Sequence, residues 1–185
     1  MKKSTLLILL VAFLTVAVGI SGCLDSGNNS TDNTTNGSNE TPAFDENLVQ
    51  VNPLPAGFEL LAVSNVTTDA EIDGITDEVA GYSASFMYNN STNVYLSAFQ
   101  CADSNAAAGY VQQMVNAYNL KHPNSSNVTT VTVNGHNATL LTTVTLGSNS
   151  SERYELAWNN GNILVVVNGP ASYNLILSMA EASGL

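Results

Sequence analysis

Residues 24–41 read LDSGNNSTDNTTNGSNET, and Leu24 is their single aliphatic side chain. A segment with nothing to bury cannot offset the entropy of ordering its backbone, so no fold runs through it. It splits the 185-residue chain into a leader of 23 residues and a stretch, 42–185, of the size of one domain with its own core. As a flexible coil of 18 residues it has a root-mean-square reach on the order of 20–25 Å. Residues 23–41 therefore read as an attachment point followed by a tether.

The leader shows what the tether is attached to. Lys2 and Lys3 form a positive start, and Leu6 to Ile20 is an apolar run broken only by Thr15 and Gly19. Fifteen residues fall short of the ~20 a spanning helix needs and suit a secretory signal. The run ends in Ile20-Ser21-Gly22-Cys23, an aliphatic residue, two small residues and a cysteine, which resembles the lipobox of prokaryotic lipoproteins. That resemblance implies a signal peptide over 1–22, cleavage before Cys23, and a lipid on the Cys23 thiol. The domain would then stand on the outer face of the cytoplasmic membrane. An uncleaved N-terminal anchor is the alternative.

Charge excludes several partners. The chain has 15 Asp and Glu against 4 Lys and Arg, a net of −11, with only 10% charged residues where ~25% is usual. Beyond Lys2 and Lys3 only Lys121 and Arg153 remain. Two cations make no basic patch, so neither nucleic acid nor a polybasic grip on anionic lipid is expected.

Polarity comes from Asn, Ser and Thr instead. Asn-x-Ser/Thr sequons crowd the tether at Asn28, Asn29, Asn33, Asn36 and Asn39, where composition makes them by chance. Within the domain, Asn65, Asn89, Asn90, Asn124, Asn127, Asn137 and Asn149 are candidate glycosylation sites, about twice as many as composition would supply. Lipobox and sequons together resemble an archaeal lipid-anchored surface glycoprotein. A bacterial lipoprotein that uses these residues only for polarity is the alternative.

The domain reads as alternating strands and hairpins with two helices. Phe58 to Val66 is a first strand; Glu71 to Val79 is ambiguous, a loop with a short helix. Tyr82, Ala84, Phe86 and Tyr88 alternate with polar neighbours as a strand, and Asn89-Asn90-Ser91-Thr92-Asn93 turns into a second, Val94 to Cys101. Asp103 or Ser104 caps a helix with Ala107, Val111, Met114, Val115 and Tyr118 facing inward, stopped by Pro123. Thr129 to Val133 and Asn137 to Leu146 flank Asn134-Gly135, a type I′ hairpin signal. Arg153 to Trp158 and Ile163 to Val167 flank Asn159-Asn160-Gly161-Asn162, a similar one, and the run Ile163–Val167 is apolar throughout, as in a central strand. Gly169-Pro170 opens the last helix, with Gly184 past its end.

The order βββαββββα implies an α+β fold: a single antiparallel sheet of six to seven strands with two helices packed on one face. Each half ends in a strand feeding a helix, a faint internal duplication. The element order, and the text from Val131-Thr132-Val133-Asn134-Gly135-His136 to Arg153-Tyr154-Glu155-Leu156-Ala157-Trp158, resembles the PsbP-like α+β architecture and small secreted domains of archaeal envelopes. No catalytic residue is implied by it, and fold likeness does not establish function.

The search for chemistry finds no catalytic constellation, and no cofactor is expected. Gly81-Tyr82-Ser83-Ala84-Ser85 lacks the second glycine of a nucleophile elbow. His122 and His136 are too few for zinc, and Cys101 reads as a small buried residue at a strand end. Asp69, Glu71, Asp73 and Asp77, with Gly74, imitate the start of a calcium loop, but Ala80 stands where such a loop needs a bidentate glutamate. A solvated acidic loop is the plainer reading.

If the Tyr82/Phe86 and Ala138/Leu140/Val144 faces pack under helices, the opposite face carries Ser83, Ser85, Thr139, Thr143, Thr145, Arg153 and Glu155. Met87, Tyr95 and Phe99 add apolar anchors. Such a hydroxyl-rich face is either simply wet or a recognition surface for a cell-wall polymer or an envelope protein. Three classes follow: a surface-tethered binding module, a structural or protective envelope component, and, least supported, an enzyme.

Overall fold

The structure is a computed structural model, and it describes residues 44–123, 127–145 and 151–185. The leader with Cys23, the tether and its sequons, and the sequons at Asn124 and Asn149 lie outside the described residues. The chain forms β1 (Phe58–Thr67), the short α1 (Thr68–Glu71), β2 (Ala80–Tyr88), β3 (Thr92–Gln100), α2 (Ser104–Lys121), β4 (Val128–Val133), β5 (His136–Thr145), β6 (Ser151–Asn160), β7 (Ile163–Gly169) and α3 (Tyr173–Ala182). The seven strands make one antiparallel sheet in the order β1-β2-β3-β7-β6-β5-β4. The α+β class and the single sheet are those the sequence implies, and the element order matches it apart from the short α1 between β1 and β2.

Local chemistry explains the element ends. Asn134 and Gly135 both have positive φ, 50° and 85°, the backbone that a type I′ turn requires. The Asp103 carboxylate accepts a hydrogen bond from Ala106 N at 2.8 Å and caps α2. At the other end of α2 the His122 amide bonds to the Tyr118 carbonyl at 2.9 Å, just before Pro123. The last helix differs from expectation. Gly169 completes β7, Ser172 is the N-cap, and the helix begins at Tyr173, so Pro170 sits in the connection and not in the first turn.

The two long helices do not share a face. Ile176, Met179 and Ala180 of α3 pack with Ala84, Phe86, Val94, Leu96, Leu156, Trp158, Val165 and Val167. Ala107, Met114 and Tyr118 of α2 pack with Phe99, Leu141, Ala157, Leu164 and Val166. Alternate residues of a strand point to opposite faces, so the two clusters lie on opposite sides of the sheet. This corrects the expectation of both helices on one face, and β7 supplies the physical reason. Its five-residue run Ile163–Val167 is buried on both sides, and each side needs its own helix. The repeated strand-to-helix order is therefore not a repeat in packing. Val144 also departs from the expected core, being 41% exposed.

One edge of the sheet is irregular. The pairing of β1 with β2 shifts between Leu60 and Ala62, leaving Leu61 as a bulge with an exposed side chain.

Candidate functional site

The α2-facing side of the sheet is apolar at one end and polar at the other. Phe99, Leu164, Val166 and Ala157 lie beneath the helix. One row further along, Tyr95 pairs with Asn168, Asn168 with Glu155, and Glu155 with Leu141. The next row places Arg153 opposite Thr143. Above these rows hangs the C-terminal part of α2, whose Met114, Ala117, Tyr118 and Lys121, with the capping His122, close a pocket of about 330 Å³. That is the small end of the ~300–1,000 Å³ range of ligand pockets.

Asp73 reaches the same pocket from the loop after α1. Ile72 and Ile75 are buried among the α2 contacts and pin that loop from either side of Asp73. Between them Gly74 passes so close to α2 that a Cβ there would lie 2.3 Å from the Ala117 Cβ. Thr68, fully buried, fixes the far end of the loop. Its hydroxyl donates to the Asp77 carbonyl and accepts from the Val79 amide at 3.0 Å. Asp73 then pairs with Lys121, an ion pair whose side chains are both well exposed and which therefore adds little stability. Tyr118 donates its hydroxyl to the Thr142 carbonyl and stacks against His122 with centroids 4.6 Å apart. These contacts hold the end of α2 over β5.

Glu155 is the electrostatic centre of the site. Burial pushes its carboxyl above the ordinary 4.5, repulsion from Asp73 adds to the rise, and a hydrogen bond from Asn168 partly opposes it. A raised carboxyl stabilises the fold below the unfolded value, near 4.5, and that contribution is lost as pH rises through the folded value. Glu155→Gln removes the charge and keeps the shape. The variant should therefore melt a few degrees above the parent at pH 7, and the gap should close at pH 4, a comparison that thermal denaturation at both pH values checks.

Of the residues singled out on the polar face, Tyr95, Thr143, Arg153 and Glu155 converge on the pocket. Ser83 and Ser85 lie on the same side but further toward β1. Ser83 there accepts a hydrogen bond from Ser97 at 2.9 Å. Thr139 sits opposite Ala157, the row under α2, and Thr145 ends β5. Phe99 is fully buried under α2 and is not a surface anchor, because the helix expected on the other face covers it. Lys121, His122 and Asn168 were not foreseen as site residues, and Asp73 was foreseen only within the imitation of a calcium loop. One signal for Lys121 lay in plain sight: Lys121 and Arg153 are the only Lys or Arg after Lys3, and both line this pocket.

The remaining candidates separate. Asp69 and Glu71 belong to α1, Asp73 faces Lys121, and Asp77 accepts a hydrogen bond from the Tyr110 hydroxyl at 3.4 Å. The four carboxylates do not converge, and among the described residues no group of three His, Cys, Asp or Glu could hold a metal. His136 opens β5 and lies apart from the pocket. Cys101 is buried, and burial raises its thiol above the ordinary value. Asn65, Asn89, Asn90 and Asn137 are exposed and Asn127 is half-buried. A second depression, about 430 Å³, lies beside β1 between Phe44, Asn65, Glu71 and Tyr82. It has one carboxylate and no cation in its lining.

No protein-family model matches the sequence, and no curated protein matches it either. Among solved structures the fold is similar to a GTP binding regulator from Thermotoga maritima, at 12% identity and a TM-score of 0.43, over 77% of this chain and 89% of that one.

Proposed function

We propose that the chain is a lipid-anchored, extracytoplasmic binding module whose ligand enters the pocket between α2 and the polar end of the sheet. One observation carries this reading. In a chain with only 10% charged residues, the pocket gathers Arg153, Lys121, Glu155 and Asp73 beside three tyrosines. Convergent polar groups in a small concave site are the usual mark of ligand recognition. A structural or protective envelope component would have no use for such a gathering. The anchor rests on the lipobox-like Ile20-Ser21-Gly22-Cys23 and the tether behind it. The sequons fit a surface solubilised by sugars as well as by amides and hydroxyls.

Two measurements test the two halves of the reading. Mass spectrometry of the chain from its native membrane should find Cys23 as the first residue and carrying a lipid, with glycan mass on peptides that hold the exposed Asn65 or Asn137. An intact leader with a free thiol would remove the anchor. For the pocket, thermal denaturation of the full chain in detergent should be followed against a panel of small polar solutes. A ligand at about 100 times its Kd adds about 2.7 kcal/mol of stability. That gain should disappear in the double variant Thr143→Ala, Arg153→Ala. If no solute shifts the midpoint and pull-down from solubilised membranes recovers the bare protein, the structural role replaces the binding one.

A further inference from the structure

Among the described residues, two charges of opposite sign in the pocket have no counter-ion. Lys121 and Asp73 satisfy each other. Glu155 and Arg153 line the same pocket, and neither belongs to an ion pair among the described residues. They are alternate residues of β6 and so project from the same face of the sheet, with backbones about 7 Å apart along the strand. Glu155 is half-buried and hydrogen-bonded by Asn168; Arg153 is exposed. The same pocket also has apolar lining from Met114, Ala117 and Leu141.

Resting on the binding role proposed above, we infer that the ligand is a small zwitterion of the α-amino-acid type. Its ammonium meets the Glu155 carboxylate, its carboxylate meets the Arg153 guanidinium, and its side chain lies against Met114, Ala117 and Leu141. Charge eliminates the other ligand classes. A neutral ligand would seal Glu155 from water and leave its charge uncompensated, which is costly. An anion would satisfy Arg153 but add repulsion to Glu155 and Asp73. A simple cation would satisfy Glu155 and leave the guanidinium unused, although its planar fork is suited to bidentate recognition of a carboxylate. A zwitterion supplies both missing counter-charges a few bonds apart.

The groups that face Glu155 agree with this assignment. From the loop after α1 comes Asp73, from α2 come Lys121, Tyr118 and the capping His122, from β3 Tyr95, from β7 Asn168, and from β6 itself Arg153. Burial makes the ionised Glu155 unfavourable, and the nearby Asp73 carboxylate adds to this. Glu155 therefore costs the empty fold stability, and an arriving ammonium relieves that cost. Strain kept at a site and released by a ligand is characteristic of binding residues.

The test is calorimetric titration of the full chain in detergent micelles with the common free L-amino acids, their N-acetyl derivatives, their carboxamides, sodium acetate and glucose. At least one free amino acid should bind with a Kd below about 1 mM. Removing either its ammonium or its carboxylate should weaken binding about tenfold or more. Glu155→Gln and Arg153→Gln should each weaken it to a similar degree, while the Glu155→Gln chain melts no lower than its parent, which separates lost binding from lost folding. Equal binding of the capped derivatives, or binding unaffected by Glu155→Gln, overturns the inference. If acetate or glucose binds in the pocket and no amino acid does at about 10 mM, the zwitterion falls and the binding module stands. Silence from every probe removes both.

Discussion

Trp158→Ala should lower the free energy of unfolding by about 3–5 kcal/mol, a fifth or more of the ~5–15 kcal/mol that holds an ordinary domain together. Trp158 is the one tryptophan of the chain and is 1% exposed. It lies on the α3 side of β6, opposite Val165, and is the largest of the fully buried side chains. Its truncation leaves a cavity that the flanking strands cannot close, because their positions are set by the ladders on either side. A polar contact is lost as well: the indole Nε1 donates to the Leu185 carbonyl at 3.3 Å. Asn134 Nδ2 reaches the same oxygen at 3.2 Å, so that acceptor keeps one donor and the penalty stays within the range for a cavity. Urea denaturation followed by circular dichroism checks it, since the substitution removes the tryptophan fluorescence. The midpoint should fall with the slope unchanged.

Gly169→Ala should be nearly as damaging for a different reason. Gly169 ends β7 at φ +147°, and a Cβ there would lie 2.5 Å from the Asn93 carbonyl oxygen and 3.2 Å from the Val94 Cα. Both obstacles are backbone of β3, the neighbouring strand, and cannot swing aside as a side chain would. The backbone conformation alone costs about 1–3 kcal/mol when forced on a residue with a side chain, and parting β3 from β7 adds to it. Gly169 and Pro170 also line the pocket, so binding should fall together with stability. Gly109→Ala, in α2 with nothing within 4 Å of the added Cβ, is the control. It should gain up to about 1 kcal/mol from helix propensity, a difference in sign that thermal denaturation of the two variants reads directly.

Most of the fold was legible because its signals are local. Asn134-Gly135 forces a hairpin through its own backbone preferences, and the Asp103 cap and Pro123 bracket α2 wherever it packs. The side of the sheet to which each helix goes is not a local property, and there the expectation failed. Even so, the information was present in Ile163–Val167. A run apolar at every position cannot leave one face of the sheet wet, and reading only its central placement from it overlooked that second face. The start of α3 was misplaced because Pro170 suits a first helical turn, while the close approach of Gly169 to β3 is visible only in three dimensions. The site was half legible. Period-two alternation put Tyr95, Thr143, Arg153 and Glu155 on one side, but the residues that turn a face into a pocket arrive from α2 and from the loop around Asp73, distant in sequence.

The bulge at Leu61 has a consequence for molecules crowded together. An open sheet ends in two strands whose outer hydrogen-bonding groups could recruit another chain, and such edges are where aggregation starts. In β1 the shift between Leu60 and Ala62 breaks the regular spacing of those groups and increases the local twist. A straight strand from a second molecule can match one side of the break but not both. The irregular edge thus keeps neighbouring copies from zipping into a continuous sheet.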